Sequence, residues 1–188
     1  MTIPISIIIT PNNHTNYTRG FKSFAAAEAG TGYIFAFHPY QGRDEKRPEG
    51  QSLGTFAVMQ VLSSAFDQKG YIVTMDNWFM SFSLLQNLNS RVIAALGTVR
   101  PGRVGCPSKS MFRLADDSKR GDFCVWKRRD ADIYAWVWED KKDVRLLSTF
   151  PGPVGSCFRK MKANKYTPFQ LVELPQPALI GYYNLPWI

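Results

Sequence analysis

Apolar and polar residues follow two different periods along this chain, and the switches between them mark out its elements. Ile5 to Thr10 is β-branched and nearly continuous, the pattern of a strand buried on both faces. A polar, turn-like stretch follows, and Gly32 leads into an aromatic strand over Tyr33–Phe37, stopped by Pro39 and the turn cluster from Gly42 to Pro48. From Gln51 to Gln68 the spacing becomes three and four, with Val58, Val61, Leu62, Ala65 and Phe66 on one face, which predicts a helix closed by Gly70. Alternation returns at Tyr71–Asp76, which puts Ile72, Thr74 and Asp76 on one side of a strand and Asp76 at its C-terminal end. Leu84, Leu85, Leu88 and Val92 then predict a second helix, and Ile93–Val99 a further strand ending at Pro101-Gly102.

Strands and helices that alternate with short connections predict the α/β class, with parallel strands side by side. Binding and catalytic sites in such sheets lie at strand C-termini. Past Pro101 the character changes to short strand-like pieces, Asp122–Lys127, Asp132–Trp138 and Val144–Thr149, separated by charged turns, which predicts a small β-rich lobe. From Pro151 onward Pro and Gly are frequent and periodicity is weak, so mostly loop is expected.

Composition narrows the partners. The formal net charge is +8, and Arg91–Arg129 concentrates it, with ten Lys or Arg against three acids. Clustered bases favour a polyanion by releasing counterions from phosphate, and a solvated basic surface is the competing reading. Cys106, Cys124 and Cys157 are odd in number and not spaced for zinc or a disulfide framework, so free thiols and an intracellular protein are expected. His14 and His38 lack ligand-spaced partners and are assigned structural or solvent roles. Met1–Thr10 lacks the basic start and cleavage site of a signal peptide, and no run approaches the roughly 20 apolar residues of a membrane helix.

Several short motifs occur in one order. Thr74–Ser81 reads TMDNWFMS, preceded by KGYIV and followed by a Leu-rich stretch and GTVRPGR at Gly97–Arg103. RGFK at Arg19–Lys22 and TGYIFAFHPYQG at Thr31–Gly42 precede them, and WEDKKDVRLLST at Trp138–Thr149 and PALIGYYN at Pro177–Asn184 follow. Taken together these resemble the DDE-type transposase domain of the piggyBac family, from about Arg19 to Asn184. The resemblance implies an RNase H-like α/β core, a mixed sheet with flanking helices, carrying a β-rich insertion and truncated at both ends. On that reading residues 1–18 are an atypical N-terminal segment, 19–105 the core, 106–150 the insertion and 151–188 a loop-rich C-terminal remnant. It also implies nuclear localisation, a DNA partner bound without sequence preference, homodimerisation and no membrane association.

The family's chemistry is phosphoryl transfer by two Mg²⁺ ions that clamp the attacking and leaving oxygens, held by three aspartates. Only the middle aspartate has a counterpart here, Asp76, which serves as the candidate catalytic residue and metal ligand. By the resemblance the first falls before Met1, and the segment after Asn184, Leu185-Pro186-Trp187-Ile188, lacks the third. Asp44, Glu45, Asp140 and Asp143 are the nearest spare acids, in turns or in the insertion motif. One carboxylate cannot organise two ions, so no cofactor and no enzymatic activity are expected, and Asp76 reads as a relic ligand or as a strand-end or helix N-cap residue. Trp78 and Phe79 are assigned to the core. Arg100, Arg103, Lys127, Arg128 and Arg129, the last three beside Trp126, Trp136 and Trp138, are the candidate DNA contacts, although strand alternation explains the aromatic spacing as well. Without the family's first strand the sheet would have unpaired backbone, and Ile5–Thr10 is expected to fill that slot. The function expected is thus an inactive transposase-derived domain. A domesticated DNA- or protein-binding module is the alternative, and an active nuclease would need carboxylates from elsewhere.

Overall fold

The computed structural model describes residues 4–10, 22–42, 46–63, 66–67, 70–162 and 167–184, with the backbone alone for 4–10. In chain order the elements are β1 (Pro4–Thr10), β2 (Ser23–Glu28), β3 (Ile34–Pro39), α1 (Leu53–Val61), β4 (Ile72–Met75), α2 (Phe82–Ser90) and β5 (Ala94–Thr98). They are followed by β6 (Phe123–Lys127), β7 (Tyr134–Glu139), β8 (Asp143–Ser148), β9 (Val154–Met161), β10 (Gln170–Pro177) and α3 (Ala178–Tyr183). One eight-stranded sheet has the order β3-β2-β1-β4-β5-β8-β7-β6, and β9 and β10 form a separate ribbon. The parallel strands are β1, β4 and β5, and the other neighbours pair antiparallel.

Alternation along the strands divides the interior into two cores. Val73, Met75, Ala95, Ala135, Val137 and Leu147 share one face with Ala57, Val58 and Val61 of α1 and Leu84, Leu85 and Leu88 of α2. Their sequence neighbours Leu96, Trp136, Trp138 and Leu146 point the other way, onto Leu179 and Ile180 of α3. A sheet covered on both faces needs apolar residues at successive positions, as seen at Leu146 and Leu147, which are 0% and 1% exposed and face opposite cores. Each of the two longer helices starts at a serine: Oγ of Ser52 accepts from the Thr55 amide at 3.1 Å and Oγ of Ser81 from the Leu84 amide at 3.2 Å. The Thr55 hydroxyl lies 3.0 Å from the first and 3.2 Å from the second, tying both helix starts together.

The segment expected to fill the first-strand slot lies inside the sheet as β1, between β2 and β4. Elsewhere the structure departs from the sequence pattern for identifiable reasons. Helix α1 ends at Val61, short of the expected Gln68, because the Arg91 guanidinium donates to the carbonyls of Leu62 at 2.9 Å and Ser63 at 2.8 Å and pairs with Asp67 at 2.5 Å. Strand β2 begins beyond the RGFK motif, in an alanine-rich run with no alternation to reveal it; pairing with β1 on one side and β3 on the other defines it. Residues 106–150 do not form a lobe of their own, since β8 pairs with β5 and carries β7 and β6 along as an extension of the main sheet. The stretch after Pro151, expected to be mostly loop, contains two eight-residue strands and a short helix. A ribbon open on its outer face has little reason to keep an apolar alternation there, and Pro175 is tolerated because β10 is an edge strand.

Candidate functional site

Asp76 stands immediately after β4, at the C-terminal end of the parallel strands, where its backbone carbonyl accepts from the amides of Phe79 at 3.1 Å and Met80 at 3.3 Å. That turn throws the chain back toward α2, so Asp76 is a strand-end residue and Ser81, not Asp76, caps the helix. Its exposed carboxylate is held on one oxygen: Oδ1 accepts from Asn77 Nδ2 at 2.9 Å and from the Thr98 hydroxyl at 3.2 Å. Thr98 has one proton to give, and giving it to Asp76 leaves its oxygen to accept from Tyr183, whose hydroxyl is 3.3 Å away. Burial pushes the Tyr183 hydroxyl above its ordinary pKa, and the Asp76 charge adds to this against the opposing effect of the Thr98 bond, which suits a neutral donor. Arg103 donates from Nη2 to the Asn77 carbonyl at 3.0 Å, and Asn77 Oδ1 is buried with no hydrogen-bond partner among the described residues. Thr98 and Tyr183 were not singled out by sequence; Thr98 lies in the GTVR motif and Tyr183 in PALIGYYN, which were the available signals.

A pair of magnesium ions requires several hard oxygen donors from separate segments. Among the described residues no three His, Cys, Asp or Glu side chains lie together as a metal-holding group. Asp140 is tied to Arg120 at 2.5 Å and to Arg159 at 3.5 Å, and Asp143 to Arg145, all around the β7–β8 hairpin and not beside Asp76. Asp44 and Glu45 lie outside the described residues. The donor set described around Asp76 therefore does not fit a two-ion centre.

The basic run is less uniform in space than in sequence. Arg91 pairs with Asp67, Arg113 with Asp116, Arg120 with Asp140, Lys127 with Asp132 and Arg128 with Asp130. Half of the ten bases between Arg91 and Arg129 are thus in ion pairs among the described residues. Lys127, 2.8 Å from Asp132, also lies over the Tyr134 ring, and Arg128 spans Asp130, the Gly105 carbonyl and the face of Phe82 at 4.0 Å. Arg100 and Arg129 are exposed and have no ion-pair partner among the described residues. Trp136 and Trp138 are buried in the second core, so alternation accounts for them, and Trp126 packs edge-on against Phe112 with ring centres 5.9 Å apart. Phe79 is 1% exposed, which bears out its core assignment, and Trp78 is half-buried, stacked on Phe24 at the edge of that core.

The fold and this strand-end acid define a mixed α/β domain with its candidate site at the C-terminal end of the parallel strands β1, β4 and β5. The family model described as Transposase IS4 matches residues 10–185, and the chain belongs to that family. It is 29% identical over 170 residues to human piggyBac transposable element-derived protein 3, covering 88% of this chain and 28% of that protein. The human chimeric ERCC6-PGBD3 protein matches with the same identity, 29% over 170 residues, covering 16% of its length. Among solved structures, a cryo-EM structure of a piggyBac transposase synaptic complex with hairpin DNA superposes with a TM-score of 0.70 at 22% identity. That match covers 97% of this chain and 37% of the other. The chain is thus of piggyBac transposase type and spans well under half the length of these relatives.

Proposed function

We propose that this chain is a non-cleaving, transposase-related DNA-binding domain built on an RNase H-like core. The observation that carries the reading is Asp76, a strand-end carboxylate with no metal-holding group of acids about it among the described residues and with its Oδ1 taken up by Asn77 and Thr98. The core assignment is supported by the run β3-β2-β1-β4-β5, in which three antiparallel strands lead into a parallel β1, β4 and β5. DNA as the partner is supported by the net charge of +8, by the exposed Arg100 and Arg129, and by the hairpin DNA in the piggyBac complex that shares the fold. Binding is non-specific and backbone-directed, and nuclear residence and self-association go with it. Segment 106–150 is the insertion of that core.

Incubation of the purified chain with labelled duplex and Mg²⁺ or Mn²⁺ is expected to leave the DNA intact, and Asp76→Ala is expected to behave identically. Strand cleavage that disappears in Asp76→Ala overturns the reading. Duplex affinity is expected to fall steeply with salt, and Arg100→Glu with Arg129→Glu to weaken binding and flatten the salt slope by about two ions.

A second reading, a protein-binding module, draws on the outer face of the β9–β10 ribbon, where Phe158 and Leu171 are 64% and 68% exposed. Salt-independent association that survives charge reversal at Arg100 and Arg129 selects it.

A further inference from the structure

Three aromatic rings surround a single cation at one corner of the sheet. The Lys22 ammonium lies 5.3 Å from the centre of the Phe24 ring, 5.2 Å from Tyr40 and 4.9 Å from Trp78. All three fall within the roughly 6 Å over which a ring's quadrupole attracts a positive charge. The rings form a connected wall: Phe24 stacks on Trp78 with centres 5.9 Å apart and meets Tyr40 edge-on at 6.2 Å. Their positions are fixed from behind. Phe24 is fully buried, the Tyr40 amide donates to the Lys22 carbonyl at 2.8 Å, and a side chain at Gly54 would lie 2.8 Å from the Trp78 carbonyl. The helix α1 backbone therefore sits directly against Trp78, and only glycine at residue 54 allows that approach.

A wall of rings converging on one positive charge is the arrangement that recognises alkylated ammonium groups. Such cations are weakly hydrated and gain dispersion contacts with ring faces that a bare ammonium makes less well. We propose that Phe24, Tyr40 and Trp78 form a binding site for a methylated-lysine side chain of a partner protein, which Lys22 fills in cis. The resident lysine is a weaker occupant than a trimethylated one, because leaving water costs its ammonium more. The cage would serve this role whether or not the chain cleaves or binds DNA.

The test is ligand rescue in the full chain. Lys22→Ala empties the cage, and Lys22→Met fills it with a neutral chain of similar length. Tetramethylammonium chloride and free trimethyllysine are titrated against wild type and both variants, following Trp78 fluorescence and thermal unfolding, with sodium chloride at matched ionic strength as reference. The proposal expects saturable binding and a raised melting temperature in Lys22→Ala, at least about tenfold tighter than in wild type. Lys22→Met is expected to respond no more than wild type does. Addition of Trp78→Leu to Lys22→Ala should remove the response. If Lys22→Ala is folded and answers to tetramethylammonium no differently from sodium, the cage is only a staple for the start of β2 and the proposal fails. It fails equally if the Lys22→Ala chain does not fold in sodium and is not recovered by tetramethylammonium.

Discussion

Gly97 shows how one residue sets the geometry around Asp76. It sits inside β5 opposite Met75, and a Cβ there would overlap the Met75 carbonyl oxygen and come within 2.5 Å of Met80 Cε. The neighbour is backbone, which cannot rotate away, so Gly97→Ala must spread β4 from β5. The expected loss is about 1–3 kcal/mol, as for overpacking elsewhere, read as a lower urea midpoint at unchanged slope. Because Thr98 follows Gly97 directly, the same change should loosen the Thr98 bond to Asp76, seen as faster exchange of the Thr98 hydroxyl proton. At this scale the basic run also loses its uniformity. A count along the chain treats Lys127 and Arg128 like Arg100 and Arg129, yet the first two spend their charge on Asp132 and Asp130. Charge reversal at Arg100 or Arg129 therefore tests DNA contact more cleanly than reversal at Lys127 or Arg128, where the loss of an internal partner adds to the effect.

Among the elements, the β7–β8 hairpin carries an internal conflict: Glu139 and Asp143 face each other across the strands, and like charges in that position repel. Burial, reinforced by Asp143, raises the Glu139 carboxyl above its ordinary pKa. The folded state thus holds the Glu139 proton more tightly than the unfolded chain does. This contribution favours folding at acid pH and is lost as pH rises through the carboxylate range. Glu139→Gln keeps the shape and removes the charge, and should raise stability at neutral pH by roughly 0.2–1 kcal/mol. The advantage should shrink as pH falls through the carboxylate range, where wild-type Glu139 takes up a proton. Thermal unfolding of both proteins across that range checks the sign. A second feature at this scale is the anchor of the ribbon. Trp138 Nε1 donates to the Pro175 carbonyl at 3.0 Å and Arg159 lies over the Trp138 ring at 5.4 Å, which seats β9 and β10 on the second face of the sheet.

Across the whole molecule, β1 is the piece that decides what the strand ends can do. It joins β4 in parallel, with Ile7 paired to Met75, so residue 8 is one step further along and level with Asp76 in the backbone register. No acid occurs anywhere in Pro4–Thr10. Ile8→Asp puts a second carboxyl-bearing residue at the register position beside Asp76, on the neighbouring strand. The expected outcome is weak Mn²⁺ binding, on the order of millimolar, detected by paramagnetic broadening at residues 76–78 and absent in Asp76→Ala. DNA cleavage should still not appear, because a two-ion centre needs a further ligand. Broadening of equal strength in the wild type would show that other donors reach the site, and with it the non-cleaving reading would fall.

Much of this was legible from residues alone because local patterns carried it. The period switch at Gln51, the β-branched strand at Ile5 and the strand-end position of Asp76 each follow from side-chain spacing and backbone preference, which depend on near neighbours. So did the motif order that resembles the piggyBac family. Other features were hidden because partners distant in sequence make them. Strand β2 is an alanine run held by β1 and β3, α1 is cut short by Arg91, and the ribbon of β9 and β10 is pinned by Trp138. The hydrogen-bonded chain from Tyr183 through Thr98 to Asp76 joins residues brought together only when α3 packs on the sheet. Residue chemistry determined that this chain has a strand-end aspartate and a surplus of positive charge. Only the tertiary structure decided which bases are neutralised, what holds the aspartate and which rings close around Lys22, since through-space distances set those interactions.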